Sequence, residues 1–277
     1  MRKTIVRELG MQLPVGVLKD GKLDKSFVLR PYKSKVDRFL NIYREANEGR
    51  TMAHLAAKFL SLIVESAGGV SYPLAESGDS TADSEFKIYN WYFADVLYVY
   101  LYSRILNVSE MIEVPYRCQR CGTKGISKAD LWTTEVKVVE KVDELSTWVD
   151  LKDGFKLENG KTCKKLKLQP VKYQAMFAAG SGGSSTGGLS YAQLRESVSE
   201  VDGTPPGYII KDSEIDDIGK MDMLRIDRQA AIVSAGPDMR TSIDCPKADC
   251  GVQIKDALNW AFDPFFDSSV PLVALKR

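Results

Sequence analysis

Two pairs of closely spaced cysteines constrain the fold of this chain more than any other feature. Each pair bounds a short turn and is followed directly by a glycine: Cys118, Cys121 and Gly122 in the first turn, and Cys245, Cys250 and Gly251 in the second. Two such turns that face each other supply four sulfur ligands to a tetrahedral zinc ion. Glycine suits the position after the second thiol because it adopts a positive φ freely. We therefore predict a structural Zn²⁺ site with four cysteine ligands and no open position for a substrate.

Disulfide bonds and unligated thiols remain open as alternatives. A lone CxxC sequence also occurs in redox dithiols, but these belong to a βαβ context that is not visible here. Disulfides are typical of oxidising compartments. The start of the chain argues against a secretion signal, since Arg7 and Glu8 interrupt its apolar run. The fifth cysteine, Cys163, lies in a basic segment, and we interpret it as a free thiol.

Length and composition bound the fold only loosely. A chain of 277 residues forms one large domain or two modest ones, and an apolar fraction of 44% is enough for a proper core. The formal net charge of +1 creates no global field toward nucleic acid or acidic lipid.

The first part of the chain predicts one hairpin and two helices. Residues 12–32 predict a β-hairpin, because the Asp20-Gly21 pair is a strong signal for a two-residue turn. Apolar residues at helical spacing predict a helix over residues 34–49 and a second over residues 51–69, each ending at glycine.

A polar loop and a strongly apolar helix follow. Residues 75–84 are small and polar, which predicts an exposed loop. Residues 88–106 predict one continuous helix that is buried or covered by a partner. Asn90, Asp95 and Arg104 interrupt its apolar surface, so we interpret it as part of a soluble protein and not as a membrane span. Pairing of Asp95 inside the fold and an interface role are both open.

The residues around the cysteine pairs predict a zinc ribbon, in which a strand leads into each turn and another leaves it. Strands are expected at residues 113–117, 125–127 and 135–139 around the first pair, and at residues 241–244 and 252–254 around the second.

A second hairpin is predicted over residues 155–168, where Asn159-Gly160 is a type I′ turn signal. Its second strand and the residues after it carry a stripe of lysines: Lys161, Lys164, Lys165, Lys167 and Lys172. Leucines alternate with these lysines and no aromatic residues interleave with them. We therefore interpret the segment as a half-buried strand with a solvated face, and not as a nucleic-acid site.

A glycine-rich segment and two helices complete the predicted elements. Residues 180–188 lack the Gly-Lys-Ser/Thr ending of a phosphate loop and are interpreted as a linker or exposed loop. Helices are predicted over residues 189–201 and 218–235. Four apolar side chains of the second helix are assigned to the core: Met221, Leu224, Ile232 and Val233.

Three stretches carry a resemblance to a known family. They are SRILNVSEMIEVPYRCQRCG at residues 103–122, LRIDRQAAIVSAGPDMRTSIDCPKADCG at residues 224–251, and Pro-Phe-Phe at residues 264–266. The chain resembles the zinc-ribbon family of tailed-phage baseplate proteins related to the hub-assembly protein of T-even phages. It departs from that family by two extra residues in the second cysteine turn and by an apparent insertion at residues 180–188.

We expect an α+β fold without a parallel doubly wound sheet. Residues 1–112 would form a hairpin and helical domain, and residues 113–277 a β-rich zinc-ribbon domain with a helical insertion at about 171–237. The resemblance implies a non-enzymatic structural or assembly component of a phage tail baseplate, in the hub or the wedge. Its implied partners are other baseplate proteins or further copies of itself, without nucleic acid or membrane. Its implied location is the host bacterial cytoplasm during assembly, or the virion baseplate.

Two functions from other classes remain open. A zinc-ribbon regulator that binds nucleic acid would need a basic face, but basic side chains flank only the first cysteine pair and acidic ones surround the second: Arg117, Arg120 and Lys124, against Asp244, Asp249 and Asp256. An enzyme would need convergent histidines or carboxylates. The only histidine, His54, has no acidic neighbour in the sequence, and we interpret it as a surface or packing residue.

The C-terminal segment is rich in aromatic residues: Trp260, Phe262, Phe265 and Phe266. Exposed aromatic clusters mark protein–protein sites. We expect these side chains to dock on a neighbouring subunit or on a second copy of the chain. The alternative is that they cap the zinc ribbon within their own monomer.

Overall fold

The computed structural model describes residues 1–46, 52–178, 191–238 and 243–254, and it combines helices with antiparallel sheets. Every strand pairing recorded among these residues is antiparallel, which confirms the α+β prediction. The helices are α1 (Val6–Leu9), α2 (Ser34–Ala46), α3 (Met52–Ile63), α4 (Ala82–Tyr89), α5 (Phe93–Asn107), α6 (Ala175–Ala178), α7 (Tyr191–Ser197), α8 (Asp212–Asp216) and α9 (Lys220–Val233).

The strands of the described residues form several small sheets. In chain order the strands are β1 (Arg2–Ile5), β2 (Gln12–Lys19), β3 (Lys22–Leu29), β4 (Val64–Ala67), β5 (Val70–Ser71), β6 (Met111–Arg117), β7 (Lys124–Asp130), β8 (Glu135–Val138), β9 (Thr147–Lys156), β10 (Thr162–Leu168), β11 (Val198–Val201), β12 (Gly236–Pro237), β13 (Ile243–Asp244) and β14 (Gln253–Ile254). The sheet orders are β1-β8-β12, β2-β3-β4-β5, β11-β10-β9, β6-β7 and β13-β14. Strand β1 pairs with β8, which lies beyond the predicted domain boundary after residue 112, and that boundary stays a prediction.

The predicted N-terminal hairpin is confirmed. Strands β2 and β3 pair antiparallel up to the contact between Lys19 and Lys22. Asp20 and Gly21 between them have φ values of 48° and 75°, and a type I′ turn requires a positive φ at both of its central residues.

The prediction of a second helix that continues to Gly68-Gly69 is wrong. Helix α3 ends at Ile63, and Val64–Ala67 forms β4, which pairs with β3. Gly68 and Gly69 have φ values of 56° and 71° and turn the chain from β4 into β5. Pairing with β3 outweighs the helical spacing of these residues. The predicted helix boundaries at residues 49 and 51 lie outside the described residues.

Helix α5 lies in the main core and is buried around its whole circumference. Every residue from position 94 to position 105 is buried, including Tyr98 and Tyr100. It contacts β2, β12, α3 and the short 3₁₀ helix at Leu131–Thr133. No helix among the described residues is long and apolar enough to cross a membrane.

The prediction of a single helix over residues 88–106 is wrong, because the helix is interrupted between α4 and α5. The backbone there bonds to a distant segment instead of continuing the helix. Phe93 N donates to Val171 O at 2.9 Å, and Tyr173 N donates to Trp91 O at 2.8 Å. The indole N–H of Trp91 also donates to the hydroxyl of Tyr72 at 2.6 Å, which fixes the side chain at the break.

Asp95 of α5 is paired inside the fold. Its two carboxylate oxygens accept the backbone N–H groups of Val15 and Gly16, at 2.8 and 3.0 Å. The register between β2 and β3 is irregular in this part of β2, so these donors need a partner outside the ladder. Asp95 thereby ties the buried helix to the N-terminal hairpin.

The exposed loop predicted at residues 75–84 is wrong in part. Its last residues belong to a helix terminus, because the hydroxyl of Thr81 accepts the N–H of Ser84 and caps α4. The buried ammonium of Lys58 on α3 forms ion pairs with Asp79 and Glu85, each at 2.9 Å. This cation holds the segment against α3.

A second core lies between the β11-β10-β9 sheet and helices α7 to α9. The lysine-rich strand is β10, whose side chains Cys163, Leu166 and Leu168 are buried. Its lysines face outward and pair with neighbouring strands: Lys165 with Asp150 at 3.2 Å, and Lys167 with Glu200 at 2.6 Å. The prediction of a half-buried strand with a solvated face is confirmed.

The hairpin of β9 and β10 is confirmed, but its predicted type I′ turn is wrong. Gly160 has a φ of 77°, whereas Asp20 is the only non-glycine residue with a positive φ among those described. The loop is longer than two residues, with Leu157 N donating to Lys161 O at 2.8 Å. The side chain of Asn159 accepts the N–H of Lys161 at 2.9 Å and stabilises this loop.

Two helix predictions near the second core need correction. The helix expected over residues 189–201 ends at Ser197, because Val198–Val201 pairs with β10 as β11. The helix expected over residues 218–235 is α9, and Val233 is buried as predicted. Three other side chains assigned to the core are exposed: Met221, Leu224 and Ile232.

Asp222 explains the orientation of α9. Its fully buried carboxylate accepts the N–H groups of Lys152, Asp153 and Gly154 on β9, at 2.7, 2.9 and 2.9 Å. Burial on its own raises the pKa of Asp222, but the three donors outweigh burial, so its pKa lies below the ordinary value. The helix therefore turns an acidic residue toward the part of β9 where the pairing with β10 is irregular.

Asp222→Asn should lower the free energy of unfolding at about pH 7 by about 2–4 kcal/mol, because an amide cannot accept all three N–H bonds. A lowered folded-state pKa means that the carboxylate stabilises the fold above about pH 4, its pKa range when unfolded, and that this contribution is lost as the pH falls through the folded-state pKa. Urea unfolding at several pH values from about 7 to about 3 measures the free energy of unfolding of the wild type and the variant. The difference between the two free energies should become smaller as the pH falls.

Asp143→Asn is the matched control, because Asp143 is exposed. It should change stability by less than about 0.5 kcal/mol. Equal stability of the Asp222 variant and the wild type at neutral pH would contradict this account of α9.

Candidate metal centre

The first cysteine turn lies at the tip of the β6-β7 hairpin. The two strands pair along their whole length, from Met111 opposite Asp130 to Arg117 opposite Lys124. Cys118 N then donates to Thr123 O at 2.9 Å and continues the ladder into the turn. One strand enters this turn and another leaves it, but the strand paired with β6 is β7. The strand predicted at residues 135–139 is β8, which pairs with β1 and β12.

The second cysteine turn lies between β13 and β14. Cys245 N donates to Val252 O at 2.9 Å, which closes the base of the turn. Within it, Cys250 N donates to Lys247 O at 2.9 Å, so the four intervening residues form a compact loop. This longer spacing therefore still brings both thiols to one side.

The glycine after each pair has the predicted left-handed conformation. Gly122 has a φ of 71° and Gly251 a φ of 57°. A Cβ atom at either position would meet no atom within 4 Å. Glycine is therefore needed at both places for its backbone conformation and not for space.

The four predicted ligand cysteines converge in space. Their sulfur atoms all lie within 4.8 Å of one another, with the Sγ atoms of Cys118 and Cys250 at 3.6 Å and those of Cys121 and Cys245 at 3.6 Å. Zn–S bonds of about 2.3 Å in a tetrahedron place the sulfurs about 3.8 Å apart. A disulfide needs about 2.0 Å, and all four cysteines are free. The cluster can therefore hold a metal ion.

Burial and hydrogen bonds change the pKa values of the cysteine thiols. Cys118, Cys245 and Cys250 are buried, and burial raises the pKa of the Cys250 thiol. Hydrogen bonds with Thr123 lower the pKa of Cys121 to about 6. Hydrogen bonds thus favour the thiolate of Cys121, whereas burial disfavours the thiolate of Cys250, and a bound cation would stabilise both.

Two residues near the cluster make contacts that the sequence did not predict. The guanidinium of Arg120 donates to the carbonyl of Cys250 at 3.0 Å and links the two turns. The ring of Tyr116 lies across Gly125 on the neighbouring strand, where a Cβ atom would come within 2.6 Å of its hydroxyl oxygen. In the sequence, an arginine inside a CxxC turn and a glycine a few residues after it do not predict these contacts. The contacts become apparent only from the pairing of the strands and the position of the second cysteine turn.

The other candidate residues lie apart from the cluster. Cys163 is buried in β10, where its thiol donates to Lys165 O at 3.1 Å and burial raises its pKa. His54 is half-buried on α3. Among the described residues, the four cysteines are the only group of three or more His, Cys, Asp or Glu placed to hold a metal ion. The predicted partner-binding residues of the tail lie outside the described residues: Trp260, Phe262, Phe265 and Phe266.

Comparisons of the chain with protein-family models, with curated proteins and with solved structures find no match.

The purified protein should contain one zinc ion per chain, and Cys118→Ser should lose most of it. Three thiolates in a site built for four bind zinc more weakly, and metal binding is coupled to folding of the two turns. Elemental analysis and thermal unfolding, with and without a chelator, measure both effects. Cys163→Ser is the matched control and should retain the full zinc content. Equal metal content in the Cys118 variant and the wild type would contradict the assignment of the ligands.

Proposed function

We propose that the protein is a non-enzymatic structural or assembly component of a bacteriophage tail baseplate, in which Zn²⁺ held by four cysteines stabilises a zinc ribbon. The observation that carries the proposal is the convergence of two cysteine turns separated by 124 to 132 positions. The proposed organisation joins a helical N-terminal half to a β-rich zinc-ribbon half.

Zinc is favoured by the chemistry of the cluster. Four cysteines without oxygen ligands are typical of structural zinc sites, and such sites leave no coordination position for a substrate. A cation at this place would close a long loop, whose entropic cost grows only slowly with its length. Metal binding of about 10–16 kcal/mol, as in small zinc-finger peptides, would exceed that cost.

The baseplate assignment rests on the family resemblance of the cysteine turns and the segments next to them. The described residues support it through the two ribbon hairpins, β6-β7 and β13-β14, which position those turns. Partners would be other baseplate proteins or further copies of this chain. Large exposed apolar side chains on the described surface, such as Ile126 and Ile209, are compatible with such contacts.

The non-enzymatic reading is supported by the use of the buried charges. Asp95 and Asp222 accept backbone N–H groups, and Lys58 is neutralised by two carboxylates. Glu214 accepts the N–H groups of Glu158 and Lys211. Each of these groups thus has a role in holding segments of the chain together.

The nucleic-acid alternative is less well supported. Lys165 and Lys167 of the lysine stripe form ion pairs, and Lys164 donates to two backbone carbonyls of β9. A face whose cations already have partners within the protein attracts phosphates less strongly. We expect no specific binding to DNA or RNA at physiological salt, and fluorescence anisotropy with labelled oligonucleotides tests this. A sub-micromolar dissociation constant would favour the regulator function instead.

Genetic complementation tests the proposed function. In the phage that encodes the chain, interrupting its gene should prevent the formation of complete tails, as seen by electron microscopy. Supplying the wild type or Cys163→Ser should restore tails, whereas Cys118→Ser and Cys245→Ser should not, because the ribbon loses its metal. Normal tails in the absence of the chain would refute the baseplate function. If both cysteine variants restored complete tails, the baseplate function would not depend on zinc.

A further inference from the structure

The outward face of α9 carries large apolar side chains that the fold leaves uncovered. Met221, Leu224 and Ile232 are 61%, 41% and 62% exposed. The opposite face of α9 is buried against the second core through Asp222, Ile226 and Val233. At 100° per residue, the exposed side chains lie within one arc of about 80° on the solvent side. They therefore form a single apolar strip, which we call the α9 face.

Arg228 lies within the same arc, and Arg225 lies about 20° beyond its edge. Arg225 reaches back toward the sheet, where it donates to Asp150 O at 3.4 Å and lies 4.0 Å from Asp222. Arg228 is exposed at the centre of the strip, and it forms no ion pair or hydrogen bond with any residue that the structure describes. The α9 face is thus apolar with an available positive charge, which fits an apolar segment that carries carboxylates.

The chain contains such a segment beyond the described residues. Residues 260–267 read Trp-Ala-Phe-Asp-Pro-Phe-Phe-Asp, so four aromatic side chains are interspersed with Asp263 and Asp267. Aromatic rings make favourable contacts when they pack against methionine and isoleucine side chains. Both the hydrophobic character and the sign of charge of this segment complement the α9 face.

The connection is long enough for the segment to reach α9 of its own chain. Ile243 follows Val233, the last residue of α9, by ten residues, so it lies within about 35 Å of the end of that helix. Ile254 pairs with Ile243, and twelve residues from Ile254 to Phe266 extend over about 40 Å. Helix α9, with 14 residues, is about 21 Å long. A tethered segment also has an effective concentration in the millimolar range, which favours its own chain over a second copy.

We propose that in the free protein residues 260–267 cover the α9 face of the same chain. The aromatic side chains lie on Met221, Leu224 and Ile232, and the carboxylates of Asp263 and Asp267 neutralise Arg228. This inference is independent of the baseplate assignment, because it concerns the isolated chain.

Methionine oxidation of the full-length, zinc-loaded protein tests the contact. At low conversion by hydrogen peroxide, exposed methionines react fastest, and mass spectrometry of peptides gives the rate for each. Met11 and Met111 serve as internal references, since they are 42% and 38% exposed. We expect Met221 to react several-fold more slowly than both references, although the described residues leave it more exposed. Replacement of Trp260, Phe265 and Phe266 by serine should raise its rate to theirs or above.

Charge reversal tests the electrostatic part of the contact. Arg228→Glu should accelerate the oxidation of Met221, and adding Asp263→Lys and Asp267→Lys should restore its protection. Lys22→Glu, at the exposed first residue of β3, is the matched control and should have no effect. A rate for Met221 in the wild type equal to or above the reference rates would overturn the proposal. Protection that appears only as the protein concentration rises, together with dimer formation, would also overturn it and would assign the segment to a second copy.

Discussion

Burial of α5 on all sides is the constraint on which the main core depends. A helix that exposes no face to water needs a partner along every direction, and β2, β12, α3 and a 3₁₀ helix provide these partners. Close approach of β12 is possible because Gly236 has no side chain, since a Cβ there would come within 2.9 Å of the Cβ of Ala94. Asp95 completes the arrangement by bonding the irregular part of β2. Segments distant in sequence are thereby held around one helix.

The same physical solution recurs in the second core. There Asp222 on α9 accepts three backbone N–H groups of β9, and Glu214 on α8 accepts the N–H of Glu158 just beyond that strand. In both cores a buried carboxylate bonds backbone that the sheet ladder leaves without a partner, which avoids the cost of a buried unpaired donor. At Asp222 and Glu214 the donors outweigh burial and hold the pKa below its ordinary value, whereas burial raises the pKa of Asp95 to about 7. A carboxylate that bound a substrate or transferred a proton would have to give up these hydrogen bonds.

Local signals predicted the elements whose geometry is fixed by neighbouring residues. The Asp20-Gly21 turn, the β6 strand and the two cysteine turns all follow from short patterns, and spacing alone predicted the group of four cysteines that converges in space. Predictions failed where a distant strand decided the conformation. Val64–Ala67 and Val198–Val201 leave their helices because β3 and β10 offer pairing partners. Arg120 was missed because its acceptor, the carbonyl of Cys250, is distant in sequence.

The orientation of α9 shows most clearly why apolar periodicity can mislead. Met221, Leu224 and Ile232 satisfy helical spacing for a core face, yet the buried position next to them is the carboxylate of Asp222. Three hydrogen bonds to an ionised group outweigh the burial of one more aliphatic side chain, since each is worth about 1.5–3 kcal/mol against about 1.5–3 kcal/mol for the whole side chain. The helix therefore turns its second apolar strip outward. An apolar strip left in this way remains available for another segment to cover, and its position on a rigid helix fixes where that segment can dock.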